Sequence, residues 1–248
     1  MGFAIRFRRR LGRLARQAFG SEKVSYAQCG EDIIIEYVLS ALGVDKVRYL
    51  DIGAHDPVYL SNTYYFYRQG GSGVCIEPNP ALIKAFKRVR PNDICLNSGI
   101  GEVQGTAQLF VMTTPTLSTF SREEAERYVS YGTEQIESTL EIPMRNINDV
   151  IEHECKGAPD FISIDVEGNE LSIVKSLDFE RWRPKVFCVE TLTYEETGKG
   201  QKLTGIIEFL QSKRYFLYAD TYINSIMVDS EIWRRGETKS ASMPGRDS

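Results

Sequence analysis

The sequence is poor in the features that usually assign a chain quickly. It has five cysteines, an odd number, and no Cys-x-x-Cys. Cys75, Cys95 and Cys188 sit inside apolar, strand-like runs, where cysteine behaves as a small hydrophobe. Reduced thiols, a cytoplasmic setting and no structural zinc site are therefore expected. No apolar run approaches the ~18 residues of a membrane span. Arginines interrupt the only region that resembles a secretory signal. The net charge of −4 carries no overall nucleic-acid signature. Two phosphate-binding devices are missing as well: no Gly-x-Gly-x-x-Gly follows the first strand, and no Gly-x-x-x-x-Gly-Lys-Ser/Thr loop occurs. The usual means of cradling a pyrophosphate is thus absent.

What is present is 248 residues, 42% of them apolar, which suits one large α/β domain with small additions. The first 20 residues carry six arginines and no acid. Phe3, Phe7, Leu11, Leu14 and Ala18 recur at helical spacing, so residues 1–20 read as a basic amphipathic helix. Such a helix suits peripheral contact with an anionic surface, such as the inner face of the membrane, or docking on the domain itself. Residues 21–235 form the main domain. The polar residues 236–248 read as a disordered tail.

The chain is organised around Val47-Arg48-Tyr49-Leu50-Asp51-Ile52-Gly53-Ala54-His55, a short apolar strand entering a tight turn. Asp51 stands at the carboxyl end of that strand, where ligands of open α/β sheets bind, and Gly53 permits close approach. Glu77 ends a second strand, in the position of an acid that holds ribose hydroxyls. A helix follows, with Asn79 as its cap and Pro80 in its first turn. A third strand exits at Asn97-Ser98. Of the aromatics Tyr64, Tyr65, Phe66 and Tyr67, at least one is expected to face a pocket. The polar stretch 113–140 reads as a lid, an acceptor loop or an ordinary surface excursion.

A second informative stretch is Phe161-Ile162-Ser163-Ile164-Asp165-Val166-Glu167-Gly168-Asn169-Glu170. Two acids, Asp165 and Glu167, end a buried strand. They serve as a general base, as metal ligands or only as caps of the turn, and a site is favoured because unpaired acids there are otherwise unfavourable. Val186–Glu190 is a fifth strand ending in an acid. The alternation predicts an α/β fold: a mostly parallel, Rossmann-like sheet with helices on both faces and an antiparallel edge strand from the last strand pair.

A nucleoside without phosphates fits the first turn better than a dinucleotide, and S-adenosylmethionine is the commonest such cofactor on this architecture. Tyr49-Leu50-Asp51-Ile52-Gly53-Ala54-His55, Ser61-Asn62-Thr63-Tyr64, Cys75-Ile76-Glu77-Pro78-Asn79-Pro80 and Ser163-Ile164-Asp165-Val166-Glu167-Gly168-Asn169-Glu170 resemble, in that order, the FkbM-type methyltransferases. The resemblance runs from about Ser25 to Glu190. Gly71-Ser72 departs from the Gly-Trp common in relatives. The family implies a class I methyltransferase fold, S-adenosylmethionine as donor, and O-methylation, with a sugar or glycan in polysaccharide or glycolipid synthesis as acceptor. Carried over to this chain, it implies that Asp51, Gly53 and Ala54 hold the methionine end of the cofactor and Glu77 the ribose. Asn97 and Ser98 would lie near the adenine, and His55 and Asp165 count with the cofactor-binding set.

A sugar hydroxyl needs help to lose its proton. Asp165 is the first candidate base, with Glu167 its partner; His55 is second and Glu190 third. No metal ligand is assigned; if the acids hold a divalent cation instead, methylation requires it. Two other readings stand beside the enzyme: a non-catalytic module that binds S-adenosylmethionine or docks at a membrane, and a nucleotide-sugar oxidoreductase, against which the missing glycines argue.

Overall fold

The computed structural model of the chain describes residues 22–102, 104–193 and 200–241. The basic stretch expected to form an amphipathic helix lies outside the described residues. Among those described, no helix is long and apolar enough to cross a membrane.

The chain first lays down α1 (Glu31–Ala41), β1 (Arg48–Ile52), α2 (Tyr64–Arg68), β2 (Ser72–Ile76), α3 (Pro80–Val89), β3 (Ile94–Leu96) and the short β4 (Gly99–Ile100). An excursion follows, built from β5 (Gly105–Met112), α4 (Arg122–Ser130) and β6 (Ile136–Arg145). Then come α5 (Ile147–His153), β7 (Phe161–Ile164), α6 (Glu170–Ser176), β8 (Val186–Glu190), α7 (Thr204–Ser212), β9 (Tyr215–Asp220), β10 (Asn224–Asp229) and α8 (Ser230–Ala241).

Seven strands form one sheet in the order β3-β2-β1-β7-β8-β10-β9. All run parallel except β10, which is antiparallel to both neighbours. The antiparallel strand expected at the edge therefore lies one place in, and β9 forms the edge. Every residue of β10, paired on both sides, is buried, whereas β9, with one free side, is mostly part-exposed.

Alternate residues of each strand feed two cores. Leu50 and Ile52 of β1 face Ile147, Val150 and Ile151 of α5 and the apolar sides of α6 and α7. Tyr49 faces the opposite layer, with Ile35, Val38 and Leu39 of α1 and Phe66 of α2.

The last helix takes in the first residues of the expected tail, while 242–248 lie outside the described residues. Asp229 Oδ1 accepts from the amides of Glu231 (2.8 Å) and Ile232 (3.0 Å), which caps α8, and Trp233 lies edge-on to Phe216 and Tyr218. So anchored, the helix runs on to Ala241, through residues the polar composition assigned to disorder.

The excursion makes its own three-stranded sheet, β4-β6-β5. Its connecting segment 115–120 lies over the carboxyl ends of the main strands and lines a cavity there.

Candidate active site

Parallel pairing of β1 with β2 on one side and β7 on the other brings three strand ends together. The exit turns are tied by backbone bonds. The amides of Gly53 and Ala54 donate to the Ile76 carbonyl, and the amide of Asp165 donates to the Ile52 carbonyl, all at 3.0 Å. Gly53 has φ +81°, and a Cβ there would stand 1.7 Å from the carbonyl oxygen of Asp165. Only glycine fits, and the turn after β1 presses directly on the turn after β7.

Asp51 is buried beneath this turn. Thr63 Oγ1 donates to its Oδ2, Arg90 Nη2 donates to Thr63 Oγ1 (3.0 Å), and Arg90 Nε pairs with Asp93 (2.7 Å). Tyr49 donates its hydroxyl to the same Asp93 (2.8 Å). Burial raises the pKa of Asp51, and the Arg90 cation works against that rise. Neither Arg90 nor Asp93 belongs to a motif legible in the sequence, and Ser61-Asn62-Thr63-Tyr64 enters there only as part of the resemblance. Ser61 caps the start of α2, since its Oγ accepts from the amides of Thr63 and Tyr64.

Glu77 clasps both turns around it. Its Oε2 accepts from the His55 amide (2.8 Å) and its Oε1 from the Asn79 amide (2.6 Å). Burial outweighs these donors and lifts its pKa to about 7. Each oxygen keeps a lone pair for a diol. His55, at φ +46°, is held below its ordinary pKa by burial, against the pull of Asp56, so its imidazole is neutral at pH 7.

The two residues expected near an adenine part company. Asn97 is exposed, and its Nδ2 donates to the carbonyls of Glu77 (3.0 Å) and Pro78 (2.7 Å), so it braces the turn and does not line the cavity. Ser98 is buried and does line a cavity of about 60 Å³ beside Glu77, where its hydroxyl has no partner. A buried hydroxyl of this kind is free to pair with a ligand atom or a water.

Next to it lies a larger cavity of about 390 Å³. Asp51, Asp165, Glu167 and Glu190 all reach it. One carboxylate oxygen from each of Asp165, Glu167 and Glu190 lies within 4.8 Å of the others. The excursion takes hold of this group. Tyr128 donates its hydroxyl to Glu167 Oε2 (2.9 Å), and Thr119 donates its hydroxyl to the Glu167 carbonyl (2.8 Å). Glu167 needs that restraint, because its φ of +56° is unfavourable for a residue with a side chain.

Burial is the main cause raising the pKa of all three acids, and their neighbours add to it. Asp165 is pushed up to about 7, with Glu170 the next cause. Glu167 and Glu190 are raised well above the ordinary range, each next by Asp165. A hydrogen bond between the Asp165 and Glu190 side chains holds the pKa of Asp165 down and adds to the rise of Glu190. Chemically, the cluster can accept a proton near neutral pH, and its all-oxygen donor set also suits a hard divalent cation.

The aromatic run from Tyr64 to Tyr67 does not line either cavity. Tyr64 stacks on Tyr67 and meets Tyr26 edge-on, while Phe66 is buried against Phe161. The aromatic residues of the larger cavity are Tyr59 and Tyr222. Sequence offered no signal for them, because both are single tyrosines in loops.

Taken as a binding site, the turn after β1 has space reserved by Gly53, a buried carboxylate at Glu77, an unpartnered hydroxyl at Ser98, and four carboxylates in the adjoining cavity. That set suits a nucleoside ligand bearing positive charge.

Comparison with known proteins agrees with this description. The chain matches the methyltransferase FkbM domain over residues 51–217. No protein with a curated description matches it. Among solved structures it is similar to a TehB-like SAM-dependent methyltransferase from Corynebacterium glutamicum, at 10% identity and a TM-score of 0.43, covering 90% of this chain and 97% of that one. It is also similar to an O-methyltransferase from Bacillus cereus in complex with SAH, at 15% identity and a TM-score of 0.38, covering 88% and 86%.

Proposed function

Because the chain belongs to the FkbM methyltransferase family, we propose that this S-adenosylmethionine-dependent enzyme methylates a hydroxyl of a sugar, free or within a glycan or glycolipid. The cofactor fits the residues present. Its sulfonium and ammonium groups suit a cavity with four carboxylates, its ribose diol suits Glu77, and its adenine suits the pocket with the free Ser98 hydroxyl. When bound, it supplies an electrophilic methyl group.

The observation that carries the mechanism is the contact between Gly53 and the Asp165 backbone. The candidate base sits directly against the cofactor turn, in one cavity with it. Asp165 at about 7 is half ionised near neutral pH and takes the proton of an acceptor hydroxyl as attack proceeds. A hydrogen bond with Glu190 steadies the ionised form of Asp165. Tyr128 and Thr119 hold Glu167 beside them. His55, neutral and lining both cavities, is the second candidate base. Holding acceptor and donor in line supplies much of the remaining acceleration. The five cysteines are free thiols, which supports a cytoplasmic site of action.

Thermal shift with S-adenosylhomocysteine, beside NAD and buffer, tests the cofactor. Stabilisation by S-adenosylhomocysteine alone, lost in Glu77→Ala, is expected; saturation at ~100 times the dissociation constant adds about 2.7 kcal/mol. Transfer of a labelled methyl to sugar acceptors tests the rest. Asp165→Asn should abolish transfer while S-adenosylhomocysteine still stabilises the protein. Full activity in that variant would remove Asp165 from the role of base.

A further inference from the structure

The walls of the larger cavity differ sharply from its floor. Below lie the carboxylates. At the mouth stand Tyr59, 67% exposed, and Tyr222, 56% exposed. Single exposed aromatics are ordinary. Two on the rim of one cavity, each on a braced loop, are not.

Tyr222 occupies the β9–β10 turn at φ +75°, a costly conformation for a bulky residue. The turn holds it there. Asp220 Oδ1 accepts from the Tyr222 amide (2.7 Å), and Lys202 Nζ donates to the Tyr222 carbonyl (2.8 Å) and pairs with Asp220 (2.9 Å). The turn is tied in turn to α1, because Thr221 and Asn224 donate to the buried Glu31 carboxylate (2.6 and 3.0 Å). Tyr59 is braced likewise: Asp56 Oδ1 accepts from the amides of Val58 and Tyr59, both at 2.8 Å, and Leu60 follows at φ +57°. Of six non-glycine residues with positive φ among those described, four line this cavity: His55, Leu60, Glu167 and Tyr222. Backbone strain concentrates where a ligand must be met.

Charge narrows the ligand. Among the described residues lining the cavity there is no lysine or arginine. Among the described residues a phosphate entering it finds carboxyl groups and no ion-pair partner, a cost of desolvation without return. A neutral pyranose finds what it needs. Its C–H face packs on an aromatic face, whose quadrupole attracts polarised C–H bonds, and Gln28, Asn62 and Thr193 offer hydrogen-bonding groups to its hydroxyls.

The geometry points to an acceptor subsite in which Tyr59 and Tyr222 grip an uncharged sugar ring above the acidic floor and anionic acceptors are refused. This deepens, and rests on, the sugar-methylating reading above.

The test is saturation-transfer NMR on the full chain loaded with S-adenosylhomocysteine. The probes are methyl hexopyranosides, the corresponding hexose 6-phosphates, and a neutral phenol. Signal from the glycosides, about tenfold weaker binding in Tyr59→Ala and Tyr222→Ala, partial recovery in the Phe variants, and no signal from the phosphates are expected. Stabilisation by S-adenosylhomocysteine, checked in every variant, reports that the fold and cofactor site are intact. Signal from the phenol but not the glycosides, lost in both Ala variants, would keep the aromatic grip and overturn the sugar ring as its occupant and as acceptor. Phosphates binding as well as the glycosides, binding that survives both Ala variants, or no binding by either neutral probe would overturn the subsite.

Discussion

The Tyr128 hydroxyl donates to the Glu167 carboxylate at 2.9 Å, joining the excursion α4 to the strand end that carries the candidate base. This bond favours the ionised form of Glu167. Tyr128→Phe is therefore expected to raise the Glu167 pKa further, loosen Glu167 beside Asp165, and lower kcat across the pH–rate profile. A hydrogen bond to a charged group is worth about 1.5–3 kcal/mol, or roughly 10- to 100-fold in rate. A profile that overlies the parent's would show that Tyr128 does not position Glu167.

Stability should fall as pH rises, the reverse of the usual carboxylate pattern. Asp165 and Glu77 stand at about 7 in the folded protein, and Asp51, Glu167, Glu170 and Glu190 are also raised. A carboxyl raised on folding binds its proton more tightly in the native state. Its contribution is full below the unfolded value of about 4 and is lost as pH climbs through the folded value. Melting temperature of the cofactor-free protein should decline between pH 5 and 8, and Asp165→Asn should flatten the decline. A flat or rising curve for the parent would contradict the raised values.

Gly53→Ala should abolish binding of S-adenosylhomocysteine. The φ of +81° costs ~1–3 kcal/mol for a residue with a side chain, and the new methyl would strike the Asp165 carbonyl. Isothermal titration calorimetry on the folded variant measures this; unchanged affinity would mean that the turn can move aside freely.

Arg90 is a fully buried cation between Asp93 and the Thr63–Asp51 pair. Arg90→Met should destabilise the protein by about 3–5 kcal/mol, because it leaves buried carboxylates uncompensated. Urea unfolding followed by circular dichroism provides the number, and a loss below 1 kcal/mol would show that Asp93 is satisfied by Tyr49 and the Gly73 amide alone.

EDTA should leave methyl transfer unchanged, since the raised pKa values of Asp165, Glu167 and Glu190 let protons offset their mutual repulsion. Loss of activity restored by Mg²⁺ would assign the three acids to a metal instead.

The parts legible in the sequence were local. Asp51, Glu77 and Asp165 each end a short apolar run, and parallel pairing then brings such ends together. Asn79 declared itself as a cap by standing before Pro80. The parts not legible depend on distant pairs. Nothing near Tyr128 announces Glu167, 39 residues away, and nothing near Arg90 announces Asp51. The place of β10 inside β9 rests on its pairing with β8 across the sheet, which a pair of adjacent apolar runs leaves open. Asn97 was misplaced because a strand-exit amide serves equally well as a ligand contact or, as here, as a brace for the neighbouring turn.

The bond from Glu31 to Thr221 and Asn224 spans 190 and 193 residues. Ordering the β9–β10 turn therefore closes a long loop back onto α1, and Glu31 Oε1 gains both of these donors only once that turn has folded.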